Sequence, residues 1–138
     1  MKVLIDTNVI IDVLNGRRPY FEASAAFLKL CGTQVIGLLA ASQTTDIFYL
    51  LRREGKTAAE AKAVVKKLTD NIKVVDVTAA DVKSALNSDM ADYEDALLAY
   101  NGKRQKVNYI VTRNEKDFIK SPVPIVTPQA FVEQFFSE

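Results

Sequence analysis

Near its start the chain runs Val3-Leu4-Ile5 and then stops on Asp6. Three apolar residues in a row, two of them β-branched, suit a strand covered on both faces, as in a parallel sheet. Apolar spacing resumes at Val9, Ile10, Val13 and Leu14, which is the period of a helix. A carboxylate therefore stands where a buried strand gives way to a helix. That is the carboxyl edge of the sheet, where open α/β folds bind ligands. Asp is also a favoured helix N-cap, so the position admits two readings, a ligand-facing acid or a cap.

The same alternation continues along the chain. Residues 15–19 read as a loop, and 20–30 as a helix closed near Gly32. A second strand is expected over 34–38 and a helix over 40–53, with Ile47, Leu50 and Leu51 on its inner face and Gly55 closing it. Thr57 and Glu60 have the spacing of a capping box, and so begin a helix carrying Ala61, Val64, Val65 and Leu68 inward. A third strand spans 72–77. The next helix spans 78–87, capped by Thr78 with Asp81 three residues on. A helix over 92–103 turns Ala96, Leu97, Ala99 and Tyr100 to one side, with Lys103, Arg104 and Lys106 at its negative end. Strands over 107–112 and 124–126 follow; Pro124 suits an edge. A last helix over 127–135 has Pro128 in its first turn. Strands alternating with helices imply a three-layer α/β sandwich around a central parallel sheet of about five strands. With 138 residues and no repeat or linker, a single domain over 1–138 is expected.

Composition narrows the chemistry by what it lacks. There is no histidine, which removes Ser-His-Asp and Cys-His machinery and His-ligated zinc. The lone cysteine, Cys31, lies among Phe27, Leu28 and Leu30 and reads as a buried structural thiol suited to a reducing cytoplasm. A formal charge of +1 gives no overall basic field, although a local patch is compatible with it. No targeting segment is evident, and no apolar run is long enough to span a membrane.

Acid–base or metal chemistry must then come from carboxylates. Asp6 ends the first strand and Asp46 lies in the helix after the second. Asp92 and Asp95, three residues apart, open the helix before the fourth strand, and Asp117 follows that strand. In a parallel sheet such positions collect on one edge. Clustered carboxylates repel and are driven toward protonation, a conflict that a hard cation such as Mg²⁺ or Mn²⁺ resolves. Such an ion also lowers the pKa of a bound water, giving a nucleophile without histidine. Each acid alone has a plainer reading: Asp92 as an N-cap, Asp95 as a favourable charge in a first turn, Asp46 as a solvated helix residue, Asp117 as a turn cap.

Four stretches, in order and spacing over the whole chain, resemble the PIN-domain nucleases, especially the small stand-alone toxins of VapBC-type toxin–antitoxin pairs. They are Leu4-Ile5-Asp6-Thr7-Asn8-Val9, Thr45-Asp46-Ile47-Phe48 with Arg52 and Arg53, Asp92-Tyr93-Glu94-Asp95-Ala96-Leu97, and Ile110-Val111-Thr112-Arg113-Asn114 through Asp117-Phe118. The resemblance implies metal-dependent cleavage of RNA, with Asp6, Asp46 and Asp95 catalytic. Asp6 and Asp95 would bind Mg²⁺ or Mn²⁺ directly, with Asp92 and Asp117 as further metal-site acids. Thr7, Asn8, Thr112, Arg113 and Asn114 would position the phosphate or its water. Arg17, Arg18, Arg52, Arg53 and Lys116 would be further phosphate contacts. It also implies an antitoxin partner, a homodimer, a cytoplasmic location and no membrane association. Two positions depart from the family pattern: Asp46 stands where Glu is usual, and Asn114 where many members carry a fourth acid. These departures keep open a PIN-fold module that binds RNA or protein with weak or no catalysis. A haloacid-dehalogenase-like phosphotransferase fits less well, since it wants a second aspartate where Asn8 stands.

Overall fold

The computed structural model describes residues 1–136. Five parallel strands form one sheet in the order β3-β2-β1-β4-β5. They are β1 (Lys2–Ile5), β2 (Ile36–Ala40), β3 (Ile72–Val75), β4 (Tyr109–Val111) and β5 (Ile125–Val126). The apolar run of β1 makes it the central strand, and Val3, Leu4 and Ile5 are fully buried. Pro124 precedes an edge strand, as its missing N–H requires.

Alternation along β1 divides the core between the two faces. Val3 and Ile5 pack with α1 (Thr7–Leu14), α2 (Phe21–Leu28), α3 (Ala41–Arg53), α4 (Ala58–Leu68) and α7 (Pro128–Phe136), around Phe27, Ile47, Leu51 and Phe131. Leu4 packs on the other face with Leu98 and Ala99 of α6 (Tyr93–Arg104) and with Phe118 of a short 3₁₀ turn (Glu115–Phe118). α5 (Ala79–Leu86) lies against α6. Burying a side chain such as Phe27 or Leu51 contributes about 2–3 kcal/mol, so the two apolar layers hold the sheet between them. Cys31 is buried in the first layer, where burial pushes its thiol up to about 12, in keeping with a structural role. Among the described residues no helix is long and apolar enough to cross a membrane.

Several boundaries differ from the sequence expectation for local reasons. Gln34 lies in a turn and Val35 forms an isolated bridge with Cys31 rather than joining β2, because both amides donate to the Leu30 carbonyl at 3.0 Å. The strand instead runs on through Leu39 and Ala40. β3 stops at Val75 because the Asp76 carbonyl is taken by Asn101 Nδ2 at 2.8 Å and Arg104 Nη2 at 2.9 Å. β4 starts at Tyr109 because Val107 is still part of the exit from α6, its amide donating to the Gly102 carbonyl at 3.1 Å. There Lys106 takes the left-handed conformation, φ 57°, usually left to glycine. On α6 the inner face is carried by Ala96, Leu98, Ala99, Asn101 and Gly102, while Leu97 and Tyr100 are only half-buried. Gly102 is needed there, since a Cβ would come within 3.2 Å of both Leu4 and Val107.

The two expected capping boxes form, Thr57 with Glu60 and Thr78 with Asp81. Asp81 has a second task. Though it is buried, its carboxyl lies below the usual range, because Arg104 and Asn101 outweigh desolvation. This contact ties α5 to α6 and fixes the direction in which α6 approaches the sheet.

Candidate active site

β1 has β2 on one side and β4 on the other, so the strand order reverses at β1 and a crevice opens beyond its carboxyl end. The parallel register sets what stands there. Ile5 pairs with Val111, which makes Asp6 and Thr112 neighbours. The Thr112 hydroxyl donates to Asp6 Oδ2 at 2.7 Å and accepts from the Asn114 amide at 3.0 Å. Asp6 holds the N-cap position of α1, yet its side chain makes no capping hydrogen bond. Its one side-chain hydrogen bond thus goes across the sheet to Thr112, although the Thr7 and Asn8 amides at the start of α1 also act on its carboxyl. Burial pushes its carboxyl up, opposed by the Thr112 hydroxyl, the amides of Thr7 and Asn8, and the charge of Arg113.

Opposite Asp6, the first turns of α3 and α6 close a cleft of about 240 Å³ whose acids are Asp6, Asp46, Glu94 and Asp95. Gln43 fixes the α3 side: it accepts from the Ala40 amide at 2.8 Å and donates to the Ile5 carbonyl at 2.7 Å and Thr7 Oγ1 at 3.1 Å. Asp95 is pushed up to about 7, by burial first and then by Asp92, Asp6, Asp117 and Glu94. Burial also raises Asp46. Glu94 is exposed as a residue, but the cleft walls strip water from its carboxyl, and Asp46, Asp92 and Asp6 raise it further.

The other expected residues have distinct placements. Asp92 caps α6, its Oδ1 accepting the Asp95 amide at 2.9 Å. Asp92, Lys116 and Asp117 line an adjoining groove rather than the cleft, although both aspartates act on Asp95 through space. Thr7 lies on the cleft wall, whereas Asn8 is half-buried on α1 beside it. Arg113 is held in place: its Nε donates to the fully buried Asp12 at 2.6 Å, and its guanidinium lies 4.1 Å from the Tyr20 ring. Arg113 Nη1 reaches Asn114 Oδ1 at 3.4 Å. Arg17 pairs with Glu54, Arg18 with Glu22, and Arg52 donates to the Lys56 carbonyl. Arg53 is exposed near the end of α3.

Sequence reasoning passed over Glu94, Gln43 and Asp12. Glu94 lies off the face that the three-residue spacing of Asp92 and Asp95 defines, yet it lines the cleft together with Asp95, while Asp92 does not. Gln43 makes only half of a capping box, accepting from the Ala40 amide, and with alanine at the cap the usual Ser/Thr signature is missing from the sequence. Asp12, an acid amid the apolar positions of α1, announced a buried partner.

The donor set bears on metal binding. Among the described residues no three acids stand close enough to grip one ion together. The carboxylates of Asp6, Asp46, Glu94 and Asp95 instead line one open cavity of about 240 Å³ that has room for water. That fits Mg²⁺ or Mn²⁺, hard cations that take few protein oxygens and keep several waters.

The PIN domain family model matches residues 2–116. The chain belongs to the PIN domain family. Ribonuclease VapC1 of Aquifex aeolicus is 24% identical over 140 residues, covering 97% of this chain and 95% of that protein. Among solved structures, VapBC2 from Rickettsia felis, bound to a fragment of promoter DNA, matches with a TM-score of 0.73 at 15% identity, over 92% of this chain and 98% of that one. The Mycobacterium tuberculosis toxin VapC20, which cleaves the sarcin–ricin loop, matches with a TM-score of 0.63 at 15% identity, over 78% and 86%. At these identities the structural likeness shows the PIN fold, with its five-stranded parallel sheet between helical layers.

Proposed function

We propose that this PIN domain is a divalent-metal-dependent endoribonuclease and the toxin of a toxin–antitoxin pair. One observation carries the reading: three separate chain segments bring Asp6, Asp46, Glu94 and Asp95 to one cleft at the strand-order reversal. The likeness to Ribonuclease VapC1 and to VapBC toxins supports RNA as the substrate and an antitoxin as the partner. A homodimer acting in the cytoplasm completes the proposal.

Asp6 and Asp95 would hold Mg²⁺ or Mn²⁺, with Asp46 and Asp92 binding it or orienting its waters and Asp117 adding charge from the side. When bound, such an ion activates water and offsets the charge developing on the phosphate. The chain's own groups supply the order around it. Thr112 fixes the Asp6 carboxylate through its hydroxyl, and Gln43 fixes Thr7. Thr7, Asn8 and Asn114 position the phosphate or its water. Arg113, locked by Asp12 and Tyr20, keeps a positive charge near Asp6 without being free to swing.

The test is cleavage of single-stranded RNA by the purified protein with Mg²⁺, with a chelator, and in Asp6→Asn. Cleavage lost in the last two conditions supports the reading. Equal cleavage in all three overturns it. A folded protein that binds RNA and never cuts it supports instead the binding-module reading that the departures at Asp46 and Asn114 suggest.

A further inference from the structure

The cleft has two unlike sides. Its acids face an apolar wall formed by Tyr93 and Leu97, together with Leu98 and Ala40. Tyr93 and Leu97 are one helical turn apart on α6, so they lie on one face. Tyr93 is 44% exposed. Its side chain has no hydrogen bond, ring contact or ion pair with any other described residue. Single exposed apolar residues are ordinary on protein surfaces, and Leu86 on α5 is more exposed still. Tyr93 differs in place. It is an unpartnered aromatic ring on the wall of a carboxylate cleft, next in sequence to Glu94 and two residues from Asp95.

A nucleotide is two-sided in the same sense. Its phosphate needs the cation that the acids would hold, and its base presents a flat π-face that stacks on aromatic side chains without regard to sequence. At about 240 Å³ the cleft is smaller than the ~300–1,000 Å³ of sites that enclose a whole small ligand. It suits one unit of a chain passing through. We infer that Tyr93, backed by Leu97, is the stacking platform for an unpaired nucleobase next to the scissile phosphate. The inference rests on the ribonuclease reading and adds a binding determinant to it. Base pairing would occupy the base in a duplex stack, so a duplex cannot use this wall.

The protein has no tryptophan, so Tyr93→Trp places a sole indole at the platform. The experiment is rapid mixing of Tyr93→Trp with a labelled single-stranded oligoribonucleotide in Mg²⁺. Label anisotropy reports binding and indole fluorescence reports stacking, each also recorded for the same oligonucleotide made abasic at successive positions. Quenching should accompany binding and vanish for an abasic residue at one position. In steady state Tyr93→Ala should raise KM about ten-fold, from the loss of one stacked base, with kcat nearly unchanged, while Tyr93→Phe behaves as wild type. If RNA is bound and cut but the indole is not quenched, or KM does not move in Tyr93→Ala, the platform is refuted and the ribonuclease reading stands. If RNA is neither bound nor cut, both fall.

Discussion

Replacing Asp95 with Asn should stabilise the metal-free protein. In the unfolded chain an aspartate titrates near 3.9, whereas in the cleft Asp95 is held at about 7. Between those values the folded state binds more protons than the unfolded state, so stability falls as pH rises through the window. The penalty is absent below about pH 4 and complete above about pH 7. A gap of about three units corresponds to at most ~4 kcal/mol. Because the carboxyl is only partly removed from water, screening reduces this to about 1–2 kcal/mol. For a chain of this length that is a rise in Tm of roughly 3–8 °C in Asp95→Asn at about pH 8, shrinking to nothing at about pH 4. The assay is thermal unfolding of chelator-treated protein across that range. Added Mg²⁺ should then raise the Tm of wild type and leave the variant nearly unmoved, because a ligand stabilises the state that binds it. If Asp95→Asn destabilises the metal-free protein at about pH 8, the account of the cleft as a place where burial and neighbouring acids disfavour the charged Asp95 carboxylate is wrong.

Thr112→Val removes both the donor to Asp6 and the acceptor for the Asn114 amide. It should cost about 1–3 kcal/mol in urea unfolding and slow RNA cleavage, with Thr112→Ser near wild type. Asp12→Ala leaves the Arg113 guanidinium without its buried partner, and a loss of about 3–5 kcal/mol is expected by denaturant titration. In Gly37→Ala the new Cβ would meet Cys31 Sγ at 2.8 Å. A loss of about 1–3 kcal/mol is expected, part of it recovered when Cys31→Ala is added, as a double-mutant cycle would show.

Periodicity made most of the fold legible. The unbroken apolar run of β1 announced a strand covered on both faces, and the Thr57–Glu60 and Thr78–Asp81 spacings announced helix starts that the structure contains. Strand ends were less legible because they depend on distant partners. β3 ends where α6 claims the Asp76 carbonyl, a contact across 25 residues of chain. At the site, the coming together of Asp6, Asp46 and Asp95 followed from parallel topology alone. The direction of each first helical turn did not. That direction sends Glu94 into the cleft, whereas the cap that Asp92 places on α6 was the plainer reading of its position in the sequence. Arg113 is the clearest case of a residue whose surroundings no local pattern reveals. It looks like a free cation in sequence and is held by Asp12, a residue 101 positions away.

Soaking crystals of the protein in Mn²⁺ and recording the anomalous signal bears most directly on the nuclease assignment. A peak lying between the carboxylates of Asp6 and Asp95, within direct coordination distance of their oxygens as a hard cation requires, and absent from crystals of Asp6→Asn, is the predicted result. An empty cleft at saturating Mn²⁺, or an ion bound elsewhere with Asp6 and Asp95 untouched, would contradict it.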